Sequence, residues 1–547
     1  MSGSSVQVAA TGAAADAVSS HVAQLVTDKV ASRLFAQDKT LWGPEAEEES
    51  AKRLSWVDLP KASRPLVGQI EALRSTFQEQ GLTRVVLCGM GGSSLAPEVI
   101  CETAGVPLTV LDSSQPDMVR AALQDRLEQT VVVVSSKSGS TVETDSQRRA
   151  FEQAFRDAGI DPTERIVIVT DPGSPLDKDA RGAGYTVINA DPDVGGRYSA
   201  LTAFGLVPSG LAGADVGALL DEAESVSDTF ASDDEDNPVL RLGAAMGGTS
   251  PLRDKLVLID AGTQNKGFGD WAEQLIAEST GKDGKGILPV VVGRSAPTAQ
   301  TDDELYVHLV SCEHEDTPSG PAALAVGGSL GALMLLWEAA TAVAGRLLGI
   351  NPFDQPDVES AKAASRELLE AGTGDSDEPA FTDGSIEVRA LGGDWLGGAG
   401  NVSDAIAALL AALPQDGYLA VMAYLDRIAD QSLADVRVAF AKKLQRPVTF
   451  GWAPRFLHST GQYHKGGPSI GVYLQVTTEP REDLVVPGRD FTFGEFITSQ
   501  SGGDAKVLAD HGRPVLQLHL TDHDTGLAEL THAISQATQS NTVGTRQ

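Results

Sequence analysis

Arg84-Val85-Val86-Leu87-Cys88-Gly89-Met90-Gly91-Gly92-Ser93-Ser94 is the stretch on which the reading of this chain turns. A short apolar run closed by glycines predicts a strand buried on both faces over 84–88, with a helix opening at 94–103. The pattern recurs downstream. Strands are predicted at 108–112, 130–135, 165–170 and 185–189, with a helix at 140–158. Apolar strands separated by amphipathic helices imply an α/β fold with a mainly parallel sheet covered on both faces. Such sheets take ligands outside the carboxyl ends of their strands, which singles out the turns after Cys88 and Ser135.

A second series runs through 255–260, 287–292 and 305–310 and ends in an apolar helix over 321–348. A third α/β stretch, about 417–520, carries strands at 448–451, 471–476 and 515–519. The predicted division is a flexible tail at 1–15, a helical region at 16–80, a first α/β domain at 81–215 and an acidic linker and helix at 216–250. A second α/β domain follows at 251–370, an acidic linker and helix at 371–414, a C-terminal α/β segment at 415–523 and a final helix with a loose C-terminal tail at 524–547.

The chain has 547 residues, enough for several domains, and 41% hydrophobic with 21% charged residues reads as soluble and globular. Against 42 basic side chains stand 75 acidic ones, a formal net charge of −33. That field opposes nucleic acid and anionic membrane surfaces, so an anionic ligand needs a local cationic site. The apolar run 321–337 is read as a core helix rather than a membrane span. Cys88, Cys101 and Cys312 form no disulfide framework and suit a reducing, cytoplasmic setting; residues 1–15 lack a secretory signal pattern.

Five segments carry candidate chemistry. The turn at Gly91, Gly92 and Ser93 lets backbone approach an anion at a helix start, or is simply a tight turn. Ser136-Lys137-Ser138-Gly139-Ser140-Thr141 brings hydroxyls and an ammonium to a second strand–helix turn, which suits a phosphate; hydroxyls there also cap helices. Arg197, behind two glycines, offers a permanent charge for an oxyanion. Gln274 and Glu278 share a helix face, and a desolvated Glu278 can serve as a base. His458 and His464, six apart, share no helical face and lack a third ligand, so no metal site is expected; either could move a proton.

Taken together, these segments resemble the glucose-6-phosphate isomerase family. The likeness covers the turn at 89–97, the phosphate motif at 136–144, Gly195-Gly196-Arg197-Tyr198-Ser199, the Gln-x-x-x-Glu-Ser-x-Gly-Lys signature at 274–282 and Asn351-Pro352-Phe353-Asp354-Gln355 with Lys362 beyond. The His-Ser-x-Gly-Gln-Tyr stretch at 458–463 is similar to bacterial members, and its placement after the Asn-Pro-Phe-Asp-Gln element resembles the isomerase portion of transaldolase–isomerase fusions.

The resemblance implies two sugar-isomerase domains plus the C-terminal segment. It also implies aldose–ketose isomerisation of glucose 6-phosphate and fructose 6-phosphate without metal or redox cofactor. By the same resemblance Gly92, Ser93, Ser136, Lys137, Ser138, Thr141 and Gln274 hold the phosphate. Glu278 is the base, Arg197 stabilises the enediolate, and His458 and Lys362 assist ring opening, with His464 as the second candidate. A homodimer is implied, in which the neighbouring subunit lends the histidine. A dual phosphoglucose/phosphomannose isomerase and a non-catalytic sugar-phosphate sensor are the competing expectations.

Overall fold

The computed structural model describes residues 6–293, 301–311, 318–356, 358–371 and 378–539. Cys312 lies outside the described residues, whereas Cys88 and Cys101 are buried free thiols.

The first strand, β1 (Gln7–Gly12), runs directly into helix α1 (Ala13–Thr27). The expectation of a flexible tail over 1–15 therefore fails from residue 7 onward. Small residues need no apolar run to form a strand when a sheet edge offers unpaired N–H and C=O groups, and β1 adds itself antiparallel to the edge of the second sheet, Gln7 opposite Gly327.

The first sheet holds β2 (Arg84–Gly89), β3 (Thr109–Leu111), β4 (Thr130–Ser135), β5 (Ile166–Thr170) and β6 (Thr186–Asn189), ordered β3-β2-β4-β5-β6 and parallel throughout. Every residue of β2, β4 and β5 is buried, which is why these strands read as unbroken apolar runs. The chain leaves β2 for β3 on one side and returns to β4 on the other. The carboxyl ends of β2 and β4 therefore flank a switch-point crevice. Helix α2 (Leu95–Ala104) follows β2, and α3 (Val142–Asp157) follows β4.

The second sheet holds β7 (Lys255–Asp260), β8 (Leu288–Val292), β9 (Glu304–Val310) and β10 (Ala322–Gly327), ordered β1-β10-β9-β7-β8. Helix α4 (Phe268–Thr280) follows β7, and α5 (Leu330–Leu348) follows β10. The expected helix over 321–348 is thus a strand and then a helix. Gly327-Gly328-Ser329 separate them, and both are so fully buried that hydropathy alone could not tell them apart. α5 is long and apolar enough to cross a membrane, yet 89% of its apolar window is buried inside the protein. The expected acidic linker and helix over 216–250 holds two helices, Val216–Phe230 and Pro238–Gly247, packed against α5.

After α6 (Val358–Ala371) comes a six-stranded sheet of β11 (Phe381–Asp383), β12 (Ile386–Leu391), β13 (Tyr418–Tyr424), β14 (Val448–Trp452), β15 (Gly471–Thr478) and β16 (Val515–Leu520), with α7 (Phe493–Asp510) before β16. Its order is β11-β12-β16-β15-β13-β14, and β12 runs antiparallel to both of its neighbours. The expected linker and helix over 371–414 therefore contains two strands besides a helix, Val402–Ala411. The final helix expected within 524–547 is α8 (His523–Gln539), held by buried Leu530 and Ile534. This third unit has its own core, and it also packs on both others. Tyr418, Tyr463 and Ile497 join Val257 and Ala277 of the second unit, while Val486 and Phe493 cover Val86 and Val132 of the first sheet.

Candidate active site

The turn after β2 is pressed against three other segments. A Cβ on Gly91, which has φ +54°, would lie 2.8 Å from Gln274 Nε2 and 2.9 Å from the His458 carbonyl oxygen. A Cβ on Gly92 would fall 1.9 Å from Gly196 O. Glycines stand here because four chain segments meet with no room for side chains. Ser93 is half-buried in the same turn.

The last turns of α4 supply the acidic centre. Gln274 Nε2 donates to the His458 carbonyl at 2.8 Å and to Glu278 Oε2 at 3.2 Å. Burial pushes the Glu278 pKa up, opposed by the charges of Arg197, His458 and Lys362 and by the Gln274 hydrogen bond. Arg197 Nη1 lies 3.7 Å from Glu278 Oε2. Of the five N–H groups a guanidinium carries, four are already placed: Nε on Ser279 Oγ, Nη1 on Gln355 Oε1, and Nη2 on the carbonyls of Pro352 and Asp354, all at 2.8–2.9 Å. That leaves a fixed charge with one hydrogen free to face Glu278. Lys282 fastens the same corner, donating to the Asn351 and Asp354 carbonyls and pairing with Asp354 Oδ1 at 2.6 Å. Burial, with Arg197 nearby, pushes its pKa down to about 8 against the pull of Asp354.

His458 enters from the third unit. Its Nε2 lies 3.0 Å from Glu143 Oε1, on the second residue of α3. Burial would raise the Glu143 pKa, but the His458 contact and the charge of Lys362 outweigh it and hold the carboxyl below its ordinary value. The turn carrying His458 is pinned by four charges. Arg455 and Arg427 pair with Glu98 on α2 and with Asp112 just past β3, the Arg–Asp contacts at 3.3 Å and Arg427–Glu98 at 2.9 Å. Burial pushes the Glu98 pKa up, yet the two guanidiniums hold it well below the usual carboxylate range. All of these residues belong to one chain, whereas the resemblance implies a histidine lent by a neighbour.

The second loop joins the site through Glu143, two residues beyond it. Thr141 is the N-cap residue of α3, Ser136 Oγ accepts from Gly139 N, and Ser138 and Ser140 share a 2.6 Å hydrogen bond. Lys137, a sequence-predicted ligand, is engaged elsewhere. Its ammonium pairs with Asp171 at 2.7 Å and donates to the Pro192 carbonyl. Lys362, on α6, acts electrostatically on both Glu143 and Glu278. His464 is excluded by its surroundings: fully buried among Tyr418, Phe456 and Tyr473, with neither ring nitrogen hydrogen-bonded. Burial holds its pKa well below the ordinary value. Among the described residues no group of three or more His, Cys, Asp or Glu side chains is disposed to hold a metal ion.

Sequence reasoning quoted Glu143, Lys282 and Gln355 within its motifs but assigned them no role. A carboxylate two residues past a Ser/Thr loop was the available signal for Glu143. Gln500 of α7, 2.7 Å from Glu143 Oε1, was missed altogether. Its signal was the pair Gly502-Gly503 inside a helix, which marks a close approach.

No family model matches the chain. A probable glucose-6-phosphate isomerase of Haloarcula marismortui is 30% identical over 367 residues, covering 56% of this chain and 82% of that protein. A probable glucose-6-phosphate isomerase of Natronomonas pharaonis is 30% identical over 348 residues, 54% of this chain and 80% of the relative. Among solved structures, a hypothetical protein from Thermus thermophilus superposes with a TM-score of 0.56 at 25% identity, over 67% of this chain and all of that one.

Proposed function

The chain belongs to the glucose-6-phosphate isomerase family, and we propose that it interconverts glucose 6-phosphate and fructose 6-phosphate in the cytoplasm through a cis-enediolate formed at Glu278. A proton α to a carbonyl is weakly acidic, so its removal needs a desolvated carboxylate and a fixed positive charge for the oxygen that becomes anionic. Glu278 and Arg197, 3.7 Å apart, supply the pair. The observation that carries the reading is their convergence with Gln274, His458 and the Gly91 turn.

In this reading the phosphate sits across the two turns at the β2/β4 crevice. Gly92, Ser93, Ser136, Ser138, Thr141 and Gln274 are its donors. Lys137 adds a contact only by leaving Asp171, so Lys137→Ala raises KM more than it lowers kcat. His458, steadied by Glu143, and Lys362 open the sugar ring, and Glu278 then moves the proton between C2 and C1.

The test is a coupled assay with glucose 6-phosphate and, in parallel, mannose 6-phosphate. Glu278→Gln is expected to lose roughly a hundred to ten thousand fold in kcat while retaining phosphate binding. Near-full turnover in that variant removes Glu278 as the base, and no turnover in the wild type leaves only a sugar-phosphate sensor.

A further inference from the structure

The geometry points to Gln500 as a positioning residue for the Glu143–His458 pair, which makes the C-terminal six-stranded unit part of the active site through a second side chain. This rests on the reading of His458 as the ring-opening group.

Gln500 lies on α7 and is 5% exposed. Its Nε2 donates to Glu143 Oε1 at 2.7 Å, the same oxygen that meets His458 Nε2 at 3.0 Å. Ser114, fully buried just past β3, donates its hydroxyl to Gln500 Oε1. The donor roles follow from chemistry. An ionised carboxylate can only accept, so the amide must turn its NH₂ toward Glu143 and its oxygen toward Ser114, which must then donate. The chain Ser114–Gln500–Glu143–His458 therefore has one hydrogen-bond direction as far as the carboxylate. It runs from the first unit to the third, back to the first, and again to the third.

A single oxygen holding two donors cannot swing without breaking one of them. Gln500 thereby fixes where Glu143 presents its charge, and so where the His458 ring lies. The helix that carries Gln500 also sets the distance to α6. A Cβ on Gly503 would lie 2.7 Å from Ser365 N, and Lys362 is three residues before Ser365. The charged groups around the pair are Glu143 on α3, Glu278 on α4 with Arg197 behind it, and Lys362 on α6.

Gln500→Met keeps the volume and removes the donor. It should lower kcat about ten- to a hundredfold, the worth of one hydrogen bond to a charged group, with KM for glucose 6-phosphate within about threefold. Ser114→Ala should lose less. The double variant should be no worse than Gln500→Met alone, because both remove one chain; losses that multiply overturn the chain. The readout that a purely structural role would not move is the dependence on His458. In a His458→Asn background Gln500→Met should cause no further loss of kcat, because it acts only through the ring; a structural role predicts the same loss of about ten- to a hundredfold there. A loss that multiplies with His458→Asn overturns the proposal. Full turnover in His458→Asn alone removes the ring-opening role instead, which tells the two failures apart. Should Gln500→Met fail to fold, Ser114→Ala in both backgrounds still decides.

Discussion

His458 and His464 lie six residues apart, on a 3-10 turn and the short helix after it, and meet opposite environments. His458 reaches across a unit boundary to a carboxylate at 3.0 Å, and its own carbonyl holds Gln274. His464 points into an aromatic cluster where neither nitrogen finds a partner. The first can exchange a proton with its surroundings; the second is held neutral as core. Residue type and spacing left the two equal and the resemblance put His458 first; the packing of the third unit against the first gives the physical reason.

The strongest way to break this contrast is His458→Asn. Loss of a positioned acid–base group should cost about a hundred to ten thousand fold in kcat on the cyclic substrate, with the melting temperature little changed. Wild-type turnover in this variant would return the role to another group.

Next in size is the clamp that delivers His458. In Arg455→Met, Glu98 and Asp112 keep only Arg427, so buried negative charge is left under-compensated, at about 3–5 kcal/mol. Denaturant unfolding should show that loss, and kcat should fall with it because the His458 turn is three residues away. Lost stability with unchanged kcat would mean the turn is held by other contacts.

A subtler test separates the working groups by pH. Glu278 acts ionised, and burial pushes its pKa up, so kcat should fall on acidification above the ordinary carboxylate range. On the alkaline side Lys282, pushed down to about 8, loses its proton and its grip on Asp354. Activity should decline through that pH, and Lys282→Arg should move the decline upward, since a guanidinium stays charged. A decline unmoved in that variant assigns it to another group.

The parallel core was legible because its strands are buried on both faces, so β2, β4 and β5 announce themselves as apolar runs. What stayed hidden depends on partners distant in sequence. β1 is a strand because β10 offers an edge. Lys137 matches a phosphate motif, but Asp171, 34 residues on, takes its ammonium. Gln500 belongs to no motif quoted for the site; it reaches Glu143 only because α7 packs over the first sheet.

The smallest effect on catalysis belongs to His464→Phe, which should leave kcat within about threefold. Its signature is in stability. Folded His464 has a depressed pKa, while the unfolded chain titrates near the ordinary value of about 6.5. Between those two values the unfolded state binds a proton that the native state refuses, so stability falls as the pH drops below about 6.5. The slope approaches about 1.4 kcal/mol per pH unit for one proton. Phenylalanine removes that penalty and the unpartnered ring nitrogens together. The variant should therefore be at least as stable as the wild type at pH 7, and increasingly more stable toward pH 5. Parallel stability–pH curves for the two proteins would mean that His464 finds a proton partner, and the contrast with His458 would then lose its basis.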